Sequence, residues 1–595
     1  QDHAGVGVAL PDALQTFRLE RLKAFGVNAI RCAHNPATPE FLDACDRLGL
    51  LVIDENRLMG TNPTQLDELA SMMRRDRNHP SVILWSLGNE EWAIEGNIKG
   101  ARIAADMQAF ARRLDPSRET TVAISGGWGG ISTVIDVVGY NYIHQSNPDE
   151  QHAKFPHQSG VGTEESTTQG TRGVYFDDRE HVHLSPQAHG DSGGNCEIGW
   201  KYYAARPFLA GLFYWTGLDY RGEPTPFGWP AISSQFGLLD TCGFPKDSAY
   251  YLKAWWTNEH MLHLYPHWNW PGHEGQPITV GCDSNDDAVE LFLNNVSLGR
   301  QEMPRNGHLE WKVSYAPGTL EARGYRDGRV VDTARIETTG APTELVLTPD
   351  RTTIAADGAD VAVFTVSAKD AAGRTVPTAS NLVHFEVTGG RIIGVGNGDP
   401  GSHEADQFNE TVSLSELERW RGRIAPANTV EPSDTAELRP LYEIGNWKAP
   451  LPKPGEVYDL AVTFTVAPDA LQAKRALFLP SFGTRTSVWL NGRQVARDVD
   501  SIQNGPEIAI DAAGLVSGAN EVRLIVTPFA DGRNHIPETD RLGTVRVTVP
   551  APPAQRSLFN GYAQVLVQSN PTAGEIRLSA SASGLRPATS TIEAR

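Results

Sequence analysis

The stretch NAIRCAHNPATPEFLDACDRLGLLVIDEN, Asn28 to Asn56, holds a short apolar run, a segment of helical period and a second apolar run. Short apolar runs bounded by turn residues read as strands, and Pro39 to Leu48 between them reads as a helix, so the stretch is one βαβ unit. The same alternation continues outward through SVILWSLGNE (81–90), TTVAIS (120–125), DVVGYNY (136–142), GVGTEE (160–165) and AGLFYWTGLDY (210–220). Helices are predicted over Pro11 to Phe25, Asn97 to Leu114 and Asn195 to Ala205. Strand and helix in strict alternation predict a parallel sheet closed as a barrel. Seven strands can be counted where a closed barrel of this type has eight. The chain opens in a loop before the first helix, so the reading is a (β/α)8-type TIM barrel over residues 1–262 whose first strand is missing, in a fragment that lacks its natural N-terminal portion.

Beyond Leu262 the helical period stops, and Gly, Pro, Asn and Asp recur at the spacing of β-sandwich turns. An immunoglobulin-like sandwich is expected over 263–341, with strands such as AVELFLNN and GTLEARGYRD. A second begins at 342 and reaches 406, and its missing strands are supplied by 553–595 after the Pro-rich joint VPAPPAQ. Between the two halves, residues 407–552 carry YDLAVTFTV, RALFLPSF and TSVWLNGRQVARD and read as an inserted β jelly roll of the galactose-binding type. Closely spaced loop ends tolerate such an insertion.

The 595 residues carry 52 Lys plus Arg against 72 Asp plus Glu, a formal charge of −20 with no basic run, which argues against nucleic-acid binding. No apolar run approaches a membrane span, so no membrane partner is expected. The five cysteines have no paired spacing from which a zinc site or a disulfide framework could be read.

The chemistry sits in WSLGNEEW (85–92) and VGTEEST (161–167), each of which brings a glutamate to the end of a strand. In (β/α) barrels the C-terminal rim of the sheet carries the active site, and two carboxylates across a cleft are the equipment of a glycoside hydrolase. Side chains alternate along a strand, so Glu90 and Glu91 cannot share a cleft, nor can Glu164 and Glu165. Glu90 is preferred as general acid/base because the neighbouring Asn89 amide can hold a sugar 2-hydroxyl, and Glu164 is preferred as nucleophile. Such a pair serves a retaining mechanism, with about 5 Å between the carboxyls.

With GVNAIRCAHNPATPEFLDACDRLGLLVIDEN, NHPSVILWSLGNE, GTEES and FYWTGLDYRGEPTPFGWPAISSQFGLLD added, residues 1–260 resemble glycoside hydrolase family 2, specifically its β-galactosidase branch. The resemblance implies the same acid/base and nucleophile, and substrate contacts by Arg31, His34, Asn89, Tyr142 and Trp215. Arg31 reads equally well as a strut holding the carboxylates. Some members of the family place a magnesium ion beside the acid/base. Here DENRLMG offers Asp54 and Glu55 with no histidine following, so no required metal and no cofactor is expected.

The function expected is release of terminal β-D-galactose from a glycan by double displacement. Alternatives are a β-glucuronidase or another β-glycosidase of the family, and a non-catalytic carbohydrate-binding fragment. The Asn-x-Lys motif by which family glucuronidases grip a sugar carboxylate is not found between Tyr220 and Asp240. The partner is a carbohydrate substrate, with a homo-oligomer as a further expectation. The sandwich-rich architecture suggests a periplasmic or secreted protein.

Overall fold

The computed structural model describes residues 2–189, 194–430, 437–445, 452–479, 483–500, 507–510, 514–530 and 542–595. Its N-terminal part is a seven-stranded parallel sheet in simple sequential order. The strands are β1 (Ala29–Arg31), β2 (Leu51–Glu55), β3 (Val82–Asn89), β4 (Glu119–Ile124), β5 (Val137–Asn141), β6 (Ser159–Glu165) and β7 (Leu209–Tyr214). The helices are α1 (Asp12–Lys23), α2 (Pro39–Leu48), α3 (Pro63–Asp76), α4 (Ile98–Leu114), α5 (Pro148–Lys154), α6 (Cys196–Ala204) and α7 (Asp247–Trp256).

Local chemistry sets the helix starts. Thr38, Asn62, Asn97 and Asn195 each accept a hydrogen bond from a first-turn N–H of α2, α3, α4 and α6, and Pro39 and Pro63 open α2 and α3 without needing a donor. Gly49 ends α2 in the left-handed conformation at φ 69°. Between strands and helices lies a core that includes Leu42, Val52, Met73, Trp85, Leu87, Met107, Val122 and Ile124. Trp85 is fully buried and donates its indole N–H to Asp115 at 3.0 Å. At Gly139 and Gly162 a side chain would collide. A Cβ on Gly139 would stand 2.5 Å from the carbonyl oxygen of Val122, and one on Gly162 would stand 2.5 Å from the Tyr203 phenol oxygen.

The edge strands β1 and β7 approach each other without pairing. A cavity of about 940 Å³ opens beside them, lined by Leu19 and Leu22 of α1, Ile30, Leu212, Trp215 and Leu218, and it reaches up to Arg31 and Thr163.

Two all-β layers follow. A three-stranded and a four-stranded antiparallel sheet cover Leu262–Tyr265 to Arg329–Glu337. The next sandwich pairs Val361–Lys369 with Tyr562–Ser569 and Leu382–Thr388 with Gly574–Ser581, so strands almost two hundred residues apart complete one sheet system. Phe408–Pro553 forms a separate compact unit of two antiparallel sheets around Trp420, Leu460, Leu477, Val488 and Leu524. Within RALFLPSF the strand covers Lys474–Phe478, and residues 480–482 lie outside the described residues.

The tail strand Tyr562–Ser569 also steadies the barrel. Gln564 donates to the carbonyl of Cys242 at 2.7 Å, and its side-chain oxygen lies 2.7 Å from the His3 ring. Arg172, from the loop after β6, is buried and donates to Asp240 and to the carbonyls of Asn397 and Phe559. The loops following β6 and β7 are thereby tied to the second sandwich.

Candidate active site

The C-terminal ends of the strands converge on Arg31, the last residue of β1. Its side chain is 3% exposed and lies between two carboxylates. It donates to both oxygens of Glu55 at 2.8 and 2.9 Å, to Oε1 of Glu164 at 2.9 Å, to Oδ1 of Asn89 at 2.7 Å and to the carbonyl of Thr163 at 3.3 Å. A buried guanidinium is tolerated only when its donors are satisfied this fully, and the planar fork is what can reach both carboxylates at once. Glu55, fully buried at the end of β2, also accepts from the Ser86 hydroxyl at 2.7 Å and lies 2.9 Å from Nδ1 of His34.

Glu164 accepts from Arg31, the Tyr142 phenol stands beside it, and Nε2 of His34 lies 3.5 Å away. Burial raises its carboxyl above the ordinary glutamate value, Arg31 and His34 oppose that rise, and the charge of Glu90 adds to it. Burial, reinforced by Glu164 and Glu90, raises the Tyr142 phenol far above its usual range and keeps it a proton donor.

Glu90 accepts a hydrogen bond from the Asn141 amide at 3.0 Å. The same amide reaches Oδ1 of Asn89 at 3.3 Å, and Oδ1 of Asn141 is fixed by the Thr163 hydroxyl at 2.7 Å. A continuous series of contacts, Glu90 to Asn141 to Asn89 to Arg31 to Glu164, therefore joins the two glutamates of the sequence analysis around one centre. Trp215 follows β7, stacks on the His34 ring at 5.2 Å and 17°, and meets Tyr220 edge-on at 6.1 Å.

Strand alternation alone does not produce this arrangement. Asn89 and Glu90 are adjacent yet bind the same amide, whereas a continued pleat would place them on opposite faces. The backbone of Glu90 is left-handed, φ 49°, and so is that of Tyr142, φ 57°, which brings Asn141 and Tyr142 to the same site. Left-handed backbone costs a non-glycine residue about 1–2 kcal/mol and persists where surrounding contacts fix it. Here the Glu90 N–H donates to the carbonyl of Ala123 at 3.0 Å, and the Tyr142 N–H to that of Glu164 at 2.8 Å.

The neighbouring glutamates face elsewhere. Glu91 lies 3.5 Å from the Met59 N–H. Glu165 is fully buried and accepts from the backbone of Ile143 at 2.8 Å and of Ser166 at 3.0 Å, with its carboxyl pushed up to about 7 by burial against those donors.

Four residues of the arrangement were not among the candidates: Asn141, Thr163, Glu95, and Glu55 in its role as counter-ion. Asn141 stands in GYNY beside Tyr142 and Thr163 beside Glu164, so strand-end position was the available signal. Glu95 is 1% exposed and accepts from the backbone of Gly127 and Ser125; burial raises its carboxyl, and Glu90 adds to the shift. Asp54 and Glu55 do not fit a magnesium ion beside the acid/base. The charge of Glu55 is taken up by Arg31, and burial and then the neighbouring Asp76 hold the Asp54 carboxyl well above the usual range.

Comparison with known proteins bears on the family and the fold. The TIM barrel domain model of glycosyl hydrolases family 2 matches residues 1–66 and 60–165, and the glycoside hydrolase family 2 C-terminal domain 5 matches 345–415. A domain of unknown function matches 275–332. The β-galactosidase BoGH2A of Bacteroides ovatus is 37% identical over 464 residues, covering 66% of this chain and 54% of that protein. A β-glucuronidase of Formosa agariphila is 27% identical over 460 residues, covering 72% and 44%. The crystal structure of a β-glycosidase from Bacteroides vulgatus superposes with a TM-score of 0.65 at 25% identity, over 99% of this chain and 62% of that one. The chain thus spans about half the length of these curated relatives.

Proposed function

The chain belongs to glycoside hydrolase family 2, and from that premise we propose that its barrel hydrolyses a terminal β-D-galactoside with retention of configuration. The observation that carries the reading is the contact series through Asn141, Asn89 and Arg31 that joins Glu90 to Glu164. In this scheme Glu164 attacks the anomeric carbon, and the bond to the aglycone breaks as Glu90 gives its proton to the leaving oxygen. Glu90 then takes a proton from water as that water displaces the sugar from Glu164. Arg31 keeps the nucleophile ionised against its burial. The Tyr142 hydroxyl and the His34 ring on Glu164 hold its orientation, and the stacked His34 and Trp215 offer a flat face to a sugar ring.

A β-glucuronide is the second reading, supported by the similarity to the Formosa agariphila β-glucuronidase. Nitrophenyl glycosides separate the two. We expect nitrophenyl β-galactoside to be the best substrate, and preference for the glucuronide would replace the first reading. Glu164→Gln is expected to lower the rate by several thousand-fold, on the order of 5 kcal/mol in barrier. A variant that kept its rate would remove Glu164 as nucleophile. Location outside the cytoplasm and assembly into homo-oligomers belong to the same proposal; among the described residues no helix is long and apolar enough to cross a membrane.

A further inference from the structure

Away from the barrel rim, three side chains from separate parts of the chain meet at one atom. His189 belongs to the loop between β6 and α6, Glu197 to the first turn of α6, and His308 immediately precedes the sandwich strand Leu309–Ser314. Nδ1 of His189 lies 2.5 Å, and Nδ1 of His308 2.7 Å, from the same oxygen, Oε2 of Glu197. The two imidazoles stack face to face, 3.6 Å between centroids and 13° between planes. Each ring turns its other nitrogen toward a carboxylate. Nε2 of His189 is 3.4 Å from Oδ1 of Asp283, which is fully buried, and Nε2 of His308 is 3.5 Å from Oε1 of Glu310.

One nitrogen at a common point and the other backed by a carboxylate is how metal-binding histidines are held, because the outer carboxylate fixes the tautomer and strengthens the donor. If both Nδ1 atoms donate to Glu197 and Nε2 of His189 donates to Asp283, His189 must be an imidazolium stacked directly on a second imidazole. A dication there would take both Nδ1 lone pairs and Oε2 of Glu197 once the two rings, nearly parallel in the structure, turn out of their stack toward a common point. Both rings would then be neutral, with Nε2–H free to donate to Asp283 and Glu310. Among the described residues, the one other cation paired with these three carboxylates is Lys201, through Glu197.

We propose that His189, Glu197 and His308 form a divalent metal site of the two-histidine, one-carboxylate type, which suits Zn²⁺ with water as the fourth ligand. Tetrahedral ligands at about 2.0–2.1 Å stand roughly 3.3 Å apart, so Glu197 would withdraw by somewhat less than 1 Å. That movement is within reach of a side chain whose other oxygen is held by the half-exposed Lys201. Two ligands come from the barrel and one from the first sandwich, so the ion would fasten these layers together. The site differs from the magnesium position beside the acid/base considered above and shares no residue with the glutamate centre.

The test is zinc binding by the chain after chelator treatment. Expected are one tightly held zinc per chain after dialysis, a visible absorption band of tetrahedral type on Co²⁺ substitution, and loss of both in Glu197→Gln and His308→Ala. Zinc at 100 times its Kd should shift the unfolding equilibrium by about 100-fold in the wild type and in neither variant. No binding at micromolar zinc, or the same stoichiometry in both variants, overturns the proposal. A measurement on the unaltered protein covers the case in which the variants fail to fold. Zinc should slow acylation of His189 and His308 by diethyl pyrocarbonate, read by peptide mass mapping, and undiminished acylation of both residues also overturns the site.

Discussion

Replacing Arg31 by Met removes the charge between Glu55 and Glu164 and keeps most of the side-chain volume. The guanidinium nitrogen is 2.9 Å from Glu164, so the charge centres are about 4 Å apart and the attraction at an effective dielectric of 20 is about 4 kcal/mol. Losing that attraction raises the Glu164 carboxyl further, and water entering the space left by the shorter side chain offsets part of the rise. An ionised nucleophile sets the acidic limb of kcat/KM against pH, so the limb should move to higher pH for Arg31→Met. Arg31→Lys keeps the charge but loses the fork, and should move it less.

Stability gives a second readout with a definite sign. Burial alone would raise the Glu55 carboxyl, but Arg31, His34 and Ser86 hold it below its ordinary value. A depressed carboxylate contributes stability above its unfolded pKa and loses it as the pH falls through the folded value. Removing Arg31 should therefore cost about 3–5 kcal/mol in the barrel's unfolding near neutrality, and the deficit should shrink toward pH 4 as both carboxylates take up protons. An unchanged acidic limb, or a deficit that grows on acidification, would refute the role assigned to Arg31.

Three further outcomes can be measured. Glu90→Gln should slow hydrolysis of alkyl glycosides far more than that of dinitrophenyl glycosides, which need little help in departing; equal losses would remove Glu90 as the acid. Gly139→Ala drives a Cβ to 2.5 Å from the Val122 carbonyl, a backbone atom that cannot step aside, and should cost on the order of 2 kcal/mol in denaturant unfolding, whereas a neutral effect would show that β4 and β5 adjust. His3 is fully buried, and burial followed by the Arg18 charge lowers its pKa to about 3, so its contribution to stability is lost as the pH falls from about 6.5 toward 3. His3→Asn should flatten the stability profile over that interval, and an unaltered profile would place the acid sensitivity elsewhere.

The seven barrel strands were legible because each is a local apolar run between turn residues, and the observed strands fall where those runs are. The predicted helices that start at Pro39, Ile98 and Cys196 follow from capping residues adjacent in sequence, whereas α3 at Pro63, capped in the same way by Asn62, was not predicted. The pairing of Glu90 with Glu164 could be proposed because strand ends on a parallel sheet share one rim. The left-handed turns at Glu90 and Tyr142 were not legible, since neither residue favours that backbone and contacts with Ala123 and Glu164 hold it there. The sequence reading applied a rigid pleat to Glu90 and Glu91, which lie beyond the end of β3, whereas Glu164 and Glu165 are within β6.

The sequence left open whether Arg31 touches sugar or holds carboxylates; the structure shows it occupied by Glu55, Asn89, Thr163 and Glu164, which lie 24 to 133 positions away. His189, Glu197 and His308 have no common motif and meet because the loop before the sandwich strand Leu309–Ser314 reaches α6. Short-range periodicity and capping, which depend on neighbours along the chain, were thus determined by the sequence itself. Which charges neutralise one another was decided by the tertiary structure, because Coulomb interactions and hydrogen bonds depend on distance in space.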